Sequence, residues 1–161
     1  MRKLTSTLVA ALFVPALSVL ADDKADVQAV IDEYCRLESN LSEQAKLMTD
    51  DRVMIAPGRR QTDQSTNMKV QLGFEKVNLQ LDPDGQLIVT ATDPIIRVYG
   101  DTAVASFNRF WDYVPSAEFV KANGGEFPPE TPPNVVTLVL VKQGGAWKIA
   151  HTHMSALHPS N

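Results

Sequence analysis

The sequence predicts an α+β domain in which helices come first and a mostly antiparallel sheet follows. Three observations carry this. Val27, Val30, Ile31, Tyr34 and Leu41 recur at helical spacing near the start. From Gln86 onward, runs rich in β-branched and aromatic residues are bounded by Gly, Pro and Asp. The tight turns Gly100-Asp101 and Gln143-Gly144-Gly145 each separate two such runs, which makes the flanking strands antiparallel.

The chain has 161 residues. Arg2 and Lys3 precede an apolar run from Leu8 to Leu20, and Val19-Leu20-Ala21 ends it in a small-x-small pattern before Asp22-Asp23. This predicts a cleavable signal peptide over residues 1–21, a periplasmic or secreted product, and one domain over residues 22–161. The run contains Pro15 and is short for a bilayer span. No cysteine stands at the cleavage point to take a lipid. Removing Arg2 and Lys3 from 15 basic residues leaves 13 against 19 acidic ones. An acidic chain without a basic stripe argues against nucleic acid, and against a membrane once the signal is cleaved. Cys35 is the single cysteine, so no intrachain disulfide forms, and it reads as a small buried hydrophobe.

The first helix covers Asp23 to Asn40, with acidic residues in its first turn and Ser39-Asn40 as its stop. Ser42 is the expected cap of a short second helix with Ala45, Leu47 and Met48 as apolar positions, ended by Thr49-Asp50-Asp51. Arg52 to Ala56 is a short strand, stopped by Pro57-Gly58. The next stretch fits two periods. Val70, Phe74, Val77 and Leu81 share a helical face behind a cap at Thr62 or Asp63. Val70, Leu72 and Phe74, then Val77, Leu79 and Leu81, also alternate as in a strand. Asp82-Pro83-Asp84-Gly85 is a turn in either case. Leu87 to Tyr99 is a strand bent at Asp93-Pro94, Thr102 to Val114 a long strand, and Val135 to Lys142 another. The Pro115–Pro133 loop, with one helical turn near Glu118 to Ala122, has the length of a lid or an arm. In the last strand Trp147, Ile149, His151, His153 and Ser155 are expected on one face.

Two stretches carry a family resemblance. They are the turn Val98-Tyr99-Gly100-Asp101-Thr102-Ala103-Val104-Ala105 and the terminal strand from Gly145 to Ser155. Both resemble the nuclear transport factor 2-like superfamily, in its SnoaL-like branch and in the association domain of calmodulin-dependent kinase. The resemblance runs from Asp23 to Pro159. It implies a cone-shaped fold in which N-terminal helices pack on a bent sheet with an open mouth, and it favours the helix for residues 62–81. It specifies fold more than function, because the superfamily hosts isomerases, cyclases, dehydratases and plain binding domains.

The superfamily's ketosteroid isomerases place a tyrosine on the first helix, where Tyr34 stands, and a carboxylate base before a Pro-x-Gly-like corner. At that base position this chain has Ala56, which cannot take a proton. Their mechanism does not carry over, and Tyr34 is either a ligand contact or a core tyrosine with a satisfied hydroxyl. The association-domain resemblance implies a pocket arginine at Arg109. Strand alternation sets it beside Phe107, Trp111 and Tyr113, where a permanent charge needs a bound anion or a carboxylate partner. Asp112, Asp93 and a helix carboxylate are the candidates. Leu138 and Met154 replace the family's other pocket arginines, which implies an apolar pocket lined by Arg109, Trp111, Tyr34, Phe107, Leu138 and Met154.

His151 and His153 are candidate acid–base groups, with Asp112 or Glu33 as partner. A histidine pair on one face also suits a metal, but no HExxH or CxxC spacing accompanies it, and no metal or cofactor is expected. The expected function is binding of a small apolar or weakly acidic molecule in the cone. Arg109 and His151 or His153 would be its polar anchors, and a homodimer would form through the outer sheet face. Two other readings stay open: a cofactor-free isomerase, lyase or cyclase using His–Asp proton chemistry, and a non-catalytic dimerisation or interaction domain.

Overall fold

A computed structural model describes residues 16–127 and 131–157. Helix α1 (Ala16–Arg36) leads through a 3-10 turn, Leu37–Ser39, into α2 (Leu41–Gln44) and a second 3-10 turn, Ala45–Leu47. Then come β1 (Met48–Ala56), β2 (Arg59–Gln61), α3 (Gln64–Leu81), β3 (Gln86–Tyr99), β4 (Thr102–Val114), α4 (Ala117–Ala122), β5 (Asn134–Gln143) and β6 (Ala146–Ala156). The strands form one curled sheet in the order β2-β1-β6-β5-β4-β3. The β1–β6 pair is parallel and every other pair antiparallel. Helices at the start, packed on this sheet, give the predicted α+β cone. Residues 1–15, with most of the expected signal peptide, lie outside the described residues, and α1 runs through the expected cleavage point at Ala21. Among the described residues no helix is long and apolar enough to cross a membrane.

The core lies between α1 and the concave face of the sheet. Val27, Ile31, Tyr34 and Cys35 pack with Ala103, Ala105 and Phe107 of β4, Val136, Leu138 and Leu140 of β5, and Ile149 of β6. Small residues at 103 and 105 leave room for the helix. Burial pushes the Cys35 thiol up to about 12, so it stays protonated and behaves as a hydrophobe. Asp23, two turns into α1, ties the helix to the turn end of the β5–β6 hairpin. Asp23 Oδ1 accepts from Lys142 Nζ at 2.5 Å and from Trp147 Nε1 at 3.3 Å.

Three local expectations are corrected. Asn40, not Ser42, caps α2: its Oδ1 accepts from the Glu43 amide at 3.3 Å. Met48 and Thr49 belong to β1 and are buried there, so the strand begins four residues before Arg52. Arg59–Gln61 adds a short edge strand beside β1. Residues 64–81 are a helix, and Asp63 starts it by accepting from the amide and hydroxyl of Thr66 at 2.7 and 3.0 Å. The bend at Asp93-Pro94 is a β-bulge, with one extra residue between Thr92 and Ile95 and Asp93 at φ 54°. Proline fits there because a bulge position need not donate to the ladder.

A second bulge decides the site. Ile149 pairs with Leu140, but His151 pairs with Val139, so Ala150 is an extra residue in β6. A one-residue insertion moves every later side chain to the opposite face. Trp147 and Ile149 face the core as expected. Beyond Ala150, Thr152 and Met154 take the inner face, opposite the buried Leu138 and Val136. His151 and His153 turn outward, beside Val139 and Thr137. The expectation that both histidines share a face with Trp147 and Ile149 is therefore overturned.

This phase predicts opposite sensitivities at adjacent positions. Thr152→Lys should cost more than about 3 kcal/mol by burying an unpaired charge, and His153→Lys should stay within about 0.5 kcal/mol. Denaturant titration of both variants checks this, and an unbroken alternation would give the reverse ranking.

Candidate functional site

A cavity of about 690 Å³ opens at the mouth of the cone. Its inner wall is built by Tyr34 and Glu38 from the end of α1 and the turn after it, Arg109 and Trp111 from β4, Asn134 from β5, and Met154 from β6. The roof is α3, which contributes Gln71, Phe74, Glu75, Asn78, Leu79 and Leu81. Ala56 and Pro57 close the side at the end of β1.

Arg109 organises the inner wall. It is 3 % exposed. Its Nη1 donates to Glu38 Oε1 at 2.8 Å and to the Tyr34 hydroxyl at 3.2 Å. Nε and Nη2 both donate to Asn134 Oδ1, at 3.2 and 3.1 Å. Nη2 also contacts Met154 Sδ at 2.9 Å. The guanidinium lies 4.5 Å from the centre of the Trp111 ring. Of the partners offered by the sequence, the helix-end carboxylate holds it. Asp112 is exposed on the outer face and opposite Ile88, and Asp93 accepts from Asn108. Burial pushes the Glu38 carboxyl above its ordinary range, with Arg109 pulling it back. Burial likewise raises the Tyr34 phenol.

A second buried cation lies nearby. Arg52, 0 % exposed, has neutral acceptors among the described residues. Its Nε and Nη2 donate to Thr152 Oγ1 at 3.1 and 3.0 Å, and Nη1 contacts Gln64 Oε1 at 3.3 Å and Met48 Sδ at 2.9 Å. Burial lowers its pKa, and the nearby Tyr34 and Glu38 raise it.

The cavity therefore brings together four of the expected pocket residues: Arg109, Trp111, Tyr34 and Met154. Phe107 and Leu138 do not line it. Both are buried in the core under α1, because their part of the sheet is covered by the helix. His151 and His153 stand outside the cone and do not reach the cavity. Burial, then His153 and Arg52, lowers the pKa of His151. Among the described residues no third His, Cys, Asp or Glu joins them as a metal cluster, and Glu33 is paired with Arg36.

Sequence reasoning left Glu38, Asn134, Arg52 and the α3 wall unnamed. Signals existed for two of them. Glu38 continues the Ile31, Tyr34 spacing onto the buried face, and Arg52 alternates in phase with Met54 and Ala56. At the rim, Asp82 Oδ2 accepts from the Tyr113 hydroxyl at 2.5 Å and the Ser116 amide at 2.9 Å. Burial and Asp82 push the Tyr113 phenol up to about 12. Three wall residues keep a buried polar atom without a hydrogen-bond partner: Gln71 Oε1, Asp82 Oδ1 and Trp111 Nε1.

The family model described as SnoaL-like domain matches residues 27–159. No curated protein matches the chain significantly. Among solved structures, the chain is similar to an NTF2-like protein with a cystatin-like fold from Novosphingobium aromaticivorans. That match has a TM-score of 0.71 at 16% identity and covers 90% of this chain and 88% of the other. An NTF2-like superfamily protein from Salmonella enterica serovar Typhimurium gives 0.64 at 18%, covering 91% and 96%. An uncharacterized protein with a cystatin-like fold from Caulobacter vibrioides gives 0.64 at 17%, covering 86% and 92%. At such identities the likeness is one of fold.

Removing one member of a buried ion pair strands the other. Glu38→Gln alone and Arg109→Met alone should each lose about 3–5 kcal/mol of stability. The double variant should recover a large part of that loss in chemical denaturation, and strictly additive losses would show that the two residues do not act as a pair.

Proposed function

This chain belongs to the SnoaL-like domain family, and from that premise we propose that it binds a small, largely apolar molecule in the mouth of its cone. One observation carries the reading: a cavity of about 690 Å³ falls within the range of about 300–1,000 Å³ typical of small-molecule sites. Its walls set aromatic and aliphatic side chains, Phe74, Leu79, Leu87 and Trp111, around a few polar groups. Such a cavity favours a ligand that exchanges apolar surface with the wall.

The polar anchoring differs from the simplest expectation for an acidic ligand. Every Arg109 nitrogen already donates to Glu38, Tyr34 or Asn134. A carboxylate on the ligand would have to compete with Glu38. The reading therefore assigns Arg109 to shaping the inner wall and presenting Trp111. It makes no use of His151 or His153, which lie on the outer face. Proton chemistry through a His–Asp pair draws no support from this cavity, and Ala56 in its wall offers no base.

Filling the cavity tests the reading. Ala56→Trp should weaken binding of an apolar fluorescent probe such as anilinonaphthalene sulfonate by about tenfold or more, a difference of about 1.4 kcal/mol. Melting temperature would show whether the domain stays folded. Native mass spectrometry of the purified protein should also show a co-purified small molecule in the parent and not in the variant. Unchanged probe binding in a folded variant would sink the proposal.

We also propose that two copies associate through the outer face of the sheet. Ile95, Tyr99 and Val104 are exposed there around the β3–β4 turn, a grouping of apolar side chains that favours a protein contact. Light scattering should give twice the chain mass, and Ile95→Glu with Val104→Glu should give the chain mass. A monomeric parent at micromolar concentration would refute this contact.

A further inference from the structure

We propose that Asp82, at the rim of the cavity, is the contact point for an organic ammonium group whose apolar remainder lies in the cone. The inference rests on the apolar-cavity reading above and adds the chemical class of the ligand.

Asp82 follows the last residue of α3 and is 5 % exposed. It lines the main cavity, and it also lines a neighbouring groove of about 380 Å³ between the α3 end and α4. One carboxylate oxygen is fixed in place: Oδ2 takes the Tyr113 hydroxyl and the Ser116 amide. The other, Oδ1, is buried and has no hydrogen-bond partner among the described residues. A buried carboxylate oxygen without a donor is unfavourable unless something enters to satisfy it. Burial pushes the Asp82 carboxyl up, but the hydrogen bonds from Ser116, Tyr113 and Gly85 together hold it below the usual range. It is thus an ionised acceptor at neutral pH.

The charges on the groove side of Asp82 favour a cation over a neutral donor, while the two arginines of the main cavity, Arg59 and Arg109, line it elsewhere. The groove carries Asp82, Asp84 and Glu118 and no lysine or arginine among its described lining residues. Two aromatic rings line the same cavity as the carboxylate: Tyr113, whose hydroxyl is on Asp82, and Phe119, which meets Tyr113 edge to face with centroids 6.3 Å apart. A carboxylate with aromatic rings around it recognises an alkyl- or arylammonium through a charge-assisted hydrogen bond and cation–π contact.

The chain makes room for this pair at a cost in local freedom. A Cβ on Gly85 would fall 2.6 Å from Asp82 Oδ2 and 2.6 Å from the Tyr113 hydroxyl. The backbone of Gly85 does not have a positive φ. Space, rather than conformation, is what a side chain there would violate. The Asp82–Tyr113 contact is accordingly seated directly on this glycine.

Matched probes test the inference on the whole chain. Calorimetric titration at neutral pH would compare 2-naphthylmethylamine with 2-naphthylmethanol, which share an apolar body and differ in charge. The amine should bind about tenfold tighter. Asp82→Asn should reduce that preference to within about twofold and leave the affinity for the alcohol nearly unchanged. Asp82→Ser, which also removes the charge, should reduce the preference likewise, and it serves if Asp82→Asn fails to fold. Equal binding of the two probes by the parent protein overturns the ammonium site and leaves the apolar cavity standing. Equal loss of both probes in a folded Asp82→Asn variant also overturns it, since that outcome assigns Asp82 to structure alone. Binding of neither probe overturns the cavity reading and this inference with it.

Discussion

The extra residue at Ala150 is the constraint on which the inner architecture depends. Before it, Trp147 and Ile149 anchor β6 in the core. After it, Thr152 and Met154 face inward. Both inward groups are hydrogen-bond acceptors aimed at buried guanidinium groups, Thr152 Oγ1 at Arg52 and Met154 Sδ at Arg109. An unbroken alternation would have put His151 and His153 on that face instead. Imidazoles next to two buried arginines would lose their acceptor nitrogen on protonation, which would also add like charge. The bulge removes that conflict by one residue of slippage.

The same wall shows how this domain handles buried charge. Two arginines, Arg52 and Arg109, are almost fully enclosed, with Glu38 as the carboxylate in direct contact with one of them. A buried ion pair seldom adds much net stability, because desolvation offsets the attraction. Its value here is positional. Arg109 binds groups from the end of α1, from β5 and from β6 at once. It thereby fixes where the helix stops relative to three strands, and so fixes the inner wall of the cavity.

Much of the fold was legible because its determinants are local. Helical spacing marks α1, paired glycines mark the β5–β6 turn, and Asp93-Pro94 marks the bend in β3. The bulge at Ala150 had no such mark. Alanine carries no turn signal, and the flanking sequence alternates smoothly on either side. The same lack of signal placed the histidines in the cone. Phe107 and Leu138 were misassigned for a different reason: strand alternation names the inner face, but only the position of α1 along the sheet separates core from cavity. The α3 stretch carried both periods, and the resemblance, not the residues, favoured the helix.

The cavity is consequently asymmetric in its chemistry. At its inner wall, Trp111 Nε1 aside, the polar groups are saturated by one another: the Arg109 nitrogens, the Tyr34 hydroxyl and Asn134 Oδ1 are each engaged. At its roof and rim, Gln71 Oε1 and Asp82 Oδ1 are not. A saturated wall contributes shape and apolar contact, while discrimination between ligands comes from groups that a ligand can complete and a competitor leaves unpaired. The groups a ligand could complete are therefore Gln71 and Asp82 at the roof and rim and, on the inner wall, Trp111 Nε1 beside Arg109.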